Sequence, residues 1–411
     1  MHIRQVTSYR WVMATAAGLL MTTSFISLTS FGIFSGSIAD SFGLDPSTLN
    51  TLGVDAFSIG LFVAFFLGHN GFFDTRIRTG VLIAQLFLIV PQFLIPVTDS
   101  LWGIVILHFF QGLMIMMLAL FSIQMSRWFT HGQRATSLAF TLGAISLGTA
   151  ASGLLSSAFE AFTWKQAYFI TGGLMIAGAL VYFAFARIAP TFDPSILKQG
   201  KGKHEGAWKN PMTWYMGLLQ IPLTWTLFSM GSFLPDYLVH LGYPESRSMG
   251  VIILWGLSGF IAAFAGAIIG DRLVGGKVRL RDVFSARLKI IAASNALMGL
   301  GALLIILVGS VSYYLLLAAV VMNACMLMIP PNFWALPDTV FPMAIMGAGA
   351  FGMGLISNSA DAIGPLVSSV LTSDWNLVFG VMAGISFFGV IYCFLLSKLK
   401  IRFPDEMDRL P

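Results

Sequence analysis

Charged side chains make up only 10% of this 411-residue sequence, less than half the usual share, which excludes an ordinary water-soluble domain. Cysteine is nearly absent. Cys325 and Cys393 both fall inside apolar runs and are read as packing residues, so neither a disulfide framework nor a metal cluster is expected. No Gly-x-x-x-x-Gly-Lys-Ser/Thr loop exists to cradle a nucleotide phosphate, which argues against bound ATP as an energy source. Lysine and arginine are missing from the middle of every long apolar run. A fixed cation for a tightly held multivalent anion is therefore not provided.

What the chain has in abundance is apolar surface, with 57% hydrophobic residues and a mean hydropathy of +0.83. A helix needs about 20 mainly apolar residues to cross the hydrocarbon of a bilayer. Twelve segments qualify, at 11–38, 48–73, 79–98, 102–126, 136–159, 166–186, 212–235, 248–270, 287–309, 312–336, 344–371 and 376–397. The expected fold is an all-α membrane protein of twelve transmembrane helices. Basic residues gather in cytoplasmic loops, and with the N-terminus inside, all of them except Lys165 and Arg247 fall on the cytoplasmic side. Both termini are then cytoplasmic, and the net charge of +5 reads as topology, not as a nucleic-acid surface. The first apolar run is longer than a signal-peptide core and reads as an uncleaved helix.

The chain also repeats itself. A shift of 211 residues lays Gly143 on Gly354, Gly153 on Gly364, Trp164 on Trp375, Gly173 on Gly384 and Gly178 on Gly389. The most polar linker, 187–211, falls where two six-helix halves would join, giving 1–186, the linker, 212–397 and a tail at 398–411. Parallel halves related by a pseudo-twofold axis along the membrane normal are a transporter architecture, with the solute near the midplane. A second repeat agrees with this division. Asn70-Gly-Phe-Phe-Asp74-Thr-Arg76-Ile-Arg78 follows the second run, and Gly266-Ala-Ile-Ile-Gly270-Asp271-Arg272 closes the eighth. In each, a carboxylate can accept hydrogen bonds from a neighbouring helix N-terminus, so Asp74, Arg76, Arg78, Asp271 and Arg272 are the expected cytoplasmic gate.

At these residues the chain resembles the major facilitator superfamily, over essentially its full length. The family pattern after its second helix is glycine, three residues, aspartate and a basic residue. The second copy fits it, whereas the first has Asn70 and Thr75 in place of the glycine and the basic residue. His108-Phe-Phe-Gln111-Gly112 is similar to the family's fourth-helix motif, with His108 where an arginine normally stands. That arginine is implicated in proton coupling. Ser232-Phe-Leu-Pro-Asp-Tyr-Leu238 and Phe333-Trp-Ala-Leu-Pro337 resemble segments of the anion:cation symporter branch. The glycines of the fifth helix come without the Gly-Pro pair common in the family's exporters, which favours uptake over export.

An aspartate inside hydrocarbon costs about 2.5 to 3.5 kcal/mol at a helix centre, so Asp361, in the eleventh run, requires a reason. Helices two and eleven are neighbours across the halves in the family fold. The resemblance thus implies that Asp55 and Asp361 share a gap, with His108 at similar depth, as three groups poised to exchange protons. The bland alternatives are a satisfied Asp361 beside Asn358, a wetted Asp55 and a packing role for His108. Gln111, Gln220, Asn323, Asn332 and Asn358 are the candidate solute contacts.

Two enzyme motifs fail on inspection. Gly256-Leu-Ser258-Gly259 resembles the Gly-x-Ser-Gly of rhomboid proteases, but no histidine base follows His240. Gly270-Asp271 resembles intramembrane aspartyl proteases, without their Tyr-Asp partner. The expectation is a non-enzymatic secondary transporter, monomeric, in a bacterial plasma membrane, moving a small metabolite by proton symport with the proton gradient as energy source and no cofactor. A proton antiporter exporting organic cations and a non-transporting membrane sensor are the alternatives.

Overall fold

The structure is a computed structural model, and it describes residues 3–69, 72–73, 75–158, 161–187, 189 and 204–404. Among the described residues it contains twelve long helices: α1 (Ile3–Ile33), α2 (Pro46–Gly68), α3 (Ile77–Leu94), α4 (Leu101–Trp128), α5 (Arg134–Ala158), α6 (Trp164–Phe185), α7 (Pro211–His240), α8 (Glu245–Val274), α9 (Leu280–Val308), α10 (Tyr313–Phe333), α11 (Met346–Val370) and α12 (Trp375–Lys398). Ten of these are long and apolar enough to cross a membrane. The other two, α5 and α7, carry many small and hydroxylated side chains and pack on protein neighbours.

Local chemistry explains how polar residues survive inside these rods. Along α1, Thr22 Oγ1 donates to the Gly18 carbonyl at 3.0 Å, Ser24 Oγ to Leu20 at 2.8 Å and Thr29 Oγ1 to Phe25 at 2.9 Å. Each hydroxyl is satisfied within its own helix, which removes the cost of an unpaired donor in an apolar medium. Helix starts are capped in the same economical way. Thr163 and Gln166 form a reciprocal box at α6, Asp374 accepts from the Asn376 amide at α12, and Asn210 precedes Pro211 at α7.

The internal repeat is visible as repeated packing. α1 lies against α5 and α6 as α7 lies against α11 and α12; α2 lies against α4 as α8 lies against α10. Both α4 and α10 tighten into a 3-10 stretch at matching places, Leu113–Met116 and Cys325–Met328. α10 then ends at Phe333, short of the run expected from hydropathy. Pro330, Pro331 and Pro337 crowd this stretch and bring no backbone N–H. The linker resumes with a short helix, His204–Lys209, packed on α11 and α7.

The halves meet chiefly through α5 with α8 and α2 with α11. Within the first half, α2 and α4 cross at backbone distance. A Cβ on Gly60 would lie 2.0 Å from the Phe109 carbonyl oxygen, and one on Gly112 would lie 2.1 Å from that of Phe57. Only glycine permits this approach. Gly60→Ala is expected to force the helices apart and lower the melting temperature in detergent, at a cost of roughly 1–3 kcal/mol; an unchanged transition would show that the crossing is free to relax.

Candidate functional site

At the basic end of the molecule, where α5 and α8 meet, Asp271 ends a helix of one half against the beginning of a helix of the other. Its carboxylate accepts the backbone N–H of Ala135 at 3.2 Å and of Thr136 at 2.7 Å, both in the first turn of α5. Those amides lack partners within their own helix, and the positive end of the helix dipole favours a carboxylate there. On its other side Asp271 takes Arg287 Nη2 at 2.5 Å. Both groups are withdrawn from water, with side chains 6% and 1% exposed. Arg287 reaches on to the His131 carbonyl at 2.7 Å and to Asn332 Oδ1 at 3.0 Å.

A second joint lies beside the first. Arg134, at the start of α5, donates to Asp338 of the opposite half, to the carbonyls of Ser126 and Phe129, and to His131 Nδ1. Beneath these charges, Phe65, Trp334 and Phe351 form a fully buried aromatic plug. The Phe65 ring stacks on Trp334 at 6.2 Å and meets Phe351 edge-on at 6.1 Å. Ser122 Oγ donates to the Trp334 carbonyl at 2.5 Å, tying α4 to the end of α10. The basic end is therefore closed, whereas among the described residues the first helices of the halves, α1 and α7, share no extensive packing.

The remaining sequence candidates divide by setting. Arg76 covers the Phe72 ring and Arg78 bonds the Phe183 carbonyl, so both serve the first half locally. Arg272 is exposed, and Asp74 lies outside the described residues. His108 stacks on Phe31 at 4.2 Å and bonds Gln111 Oε1 at 2.6 Å. Gln111 donates to Gln92, and Gln92 to Thr171, forming a buried polar chain inside the first half. Asn323 accepts from the Trp255 indole and donates to Met298. Asn332, expected to face a solute, is consumed by the latch: its oxygen holds Arg287 and its amide serves the Gly266 and Met328 carbonyls.

Asp361 stands apart. It is fully buried where α11 packs on α7, and neither carboxylate oxygen has a hydrogen-bond partner. Nearby Thr224 Oγ1 gives its proton to the Ser357 carbonyl at 2.7 Å, and the Asn358 amide turns to Gly354 and Ser357. Gln220, on the facing helix, likewise has an unpartnered buried oxygen. Asp55 is exposed on α2. Among the described residues no hydrogen bond or ion pair joins Asp55, His108 and Asp361.

Compared with known families, residues 17–360 match the model of the Major Facilitator Superfamily. The chain belongs to the major facilitator superfamily. Two solved members of similar fold are the human organic anion transporter MFSD10 (TETRAN) and the proton:xylose symporter XylE bound to 6-bromo-6-deoxy-D-glucose. The first has a TM-score of 0.70 at 14% identity, over 96% of this chain and 100% of that one. The second has a TM-score of 0.72 at 12% identity, over 99% of each. A comparison with curated proteins finds no match.

Within this facilitator fold, sequence reasoning missed Arg134, Arg287, His131 and Asp338. The one available signal was Asp338 itself, an acid standing next to Pro337 among basic loops. Gly270 also belongs to the latch, because a Cβ there would lie 2.1 Å from Asn332 Oδ1 and 2.8 Å from Arg287 Nη1. Asp271→Asn strands Arg287 in a buried site and is expected to cost the closed arrangement about 3–5 kcal/mol. A cysteine placed at Ser126 should then react at least about tenfold faster with a membrane-impermeant maleimide. Gly270→Ala should open the same path with no charge removed; unaltered labelling in both variants would show that the network does not hold the halves.

Proposed function

We propose that this superfamily member is a proton-coupled symporter that takes up a small metabolite by rocking its two six-helix halves about a central site. The observation that carries the proton is Asp361. An ionised carboxylate buried with only the Thr224 hydroxyl at hand, itself bonded to the Ser357 carbonyl, costs several kcal/mol, so the closed arrangement suits the neutral acid. Pro365, one turn further along α11, frees the carbonyl of residue 361 and provides a place for that helix to bend. Loss of the proton would favour a hydrated Asp361 and hence a different packing of α11 on α7. His108 and Asp55 are secondary candidates in the same cycle.

In this reading the chain crosses the plasma membrane twelve times with both termini in the cytoplasm, and the latch faces the cytosol. The solved neighbours support a transporter, and the proton symporter XylE supports the coupling mode. Solute is released when Asp271 leaves the N-terminus of α5 and Asp338 leaves Arg134. Halves 1–186 and 212–397 then move as bodies joined by the linker at 187–211.

The test is proton flux into proteoliposomes challenged with monocarboxylates, dicarboxylates, amino acids, sugars and lipophilic cations. Acidification of the compartment receiving the solute is expected. In Asp361→Asn, uphill accumulation should fall to background while counterflow exchange persists. Full accumulation in that variant would remove Asp361 from the cycle, proton release driven by lipophilic cations would replace uptake with export, and binding without flux would replace the transporter with a sensor.

A further inference from the structure

The imidazole of His131 lies in the loop between α4 and α5, partly open to solvent, at the point where both joints of the latch converge. Its Nδ1 is 3.0 Å from Arg134 Nη1 and 3.7 Å from Asp338 Oδ2, while its backbone carbonyl holds Arg287. A guanidinium can only donate. The contact with Arg134 therefore requires an unprotonated Nδ1 with its lone pair turned to the arginine.

The surrounding charges make that state specific to the closed latch. Four charged groups converge here: Arg134 from α5, Arg287 from α9, Asp338 from the short helix Pro337–Val340, and Asp271 from α8. Each acid is already held, Asp338 by Arg134 and Asp271 by Arg287. A proton on Nδ1 would set N–H against N–H and place a third cation between two guanidiniums. The anion nearest the new cation is Asp338, already 3.7 Å away and with one oxygen unpartnered, and any closer pairing with it would compete with Arg134.

We propose that His131 is a cytosolic proton sensor that unlatches the halves when the cytosol turns acid. Burial pushes its imidazole below the ordinary value of 6.5; Asp338 opposes this, and Arg134 and Arg287 add to it. With the latch open the ring returns to water and to its ordinary affinity for protons. The open state thus binds the proton more tightly, and closed-state stability falls as pH drops below 6.5. An acid cytosol would then hold the carrier open inward and slow its return. Proton entry would limit itself, whatever the solute.

Spin labels at Thr75→Cys and Gly276→Cys, exposed positions on opposite halves, in a background with Cys325 and Cys393 replaced by alanine, report the opening without any solute. In nanodiscs at about pH 7.5 a single short distance is expected, giving way at about pH 5.5 to a population several ångströms longer. His131→Gln, neutral throughout, should keep the short distance at both values, and His131→Lys, always charged, should show the long one at both. A pH response surviving in His131→Gln or a closed latch in His131→Lys would overturn the assignment.

Discussion

The closed basic end depends on a carboxylate lodged against the start of a helix to which it does not belong. Asp271 alone would be costly to bury. Arg287 neutralises it, and the Ala135 and Thr136 amides use lone pairs that the arginine leaves free. Removing such a pair from water costs several kcal/mol per ion, which its mutual attraction and hydrogen bonds roughly offset.

Symmetry governs the helix packing but not the charges. The second half carries Asp271, Arg287, Asn332 and Asp338, whereas the corresponding loop of the first half spends Arg76 on Phe72 and Arg78 on Phe183. The sequence already departs from the family pattern at Asn70 and Thr75, and the first copy's described basic residues do local work. The first half instead contributes α5, whose N-terminus, Arg134 and preceding loop receive the opposing groups.

Periodicity and repetition made the helices legible. The shift that lays Trp164 on Trp375 also matches the starts of α6 and α12. Asp361 was legible too, since a lone acid in an apolar run is conspicuous. Arg134 and Arg287 were hidden by a sufficient simpler reason, because basic residues gather in such loops for topology alone. Asn332 misled because nothing in a linear sequence shows that both faces of an amide are already bonded. Hydrogen-bond satisfaction is a property of three-dimensional neighbourhoods, and here Asn332 draws on Gly266, Met328 and Arg287.

In the first joint of the latch, the first half offers only main chain: two amides to Asp271 and one carbonyl to Arg287. No amino-acid replacement deletes a carbonyl, and only proline deletes an amide. Substitutions that weaken this joint are therefore concentrated on one side of the molecule. Apart from the His131 imidazole and the closely packed Gly132, the loop before α5 can change its side chains and keep its carbonyl on Arg287, while Gly270, Asp271, Arg287 and Asn332 are where substitution reaches this joint.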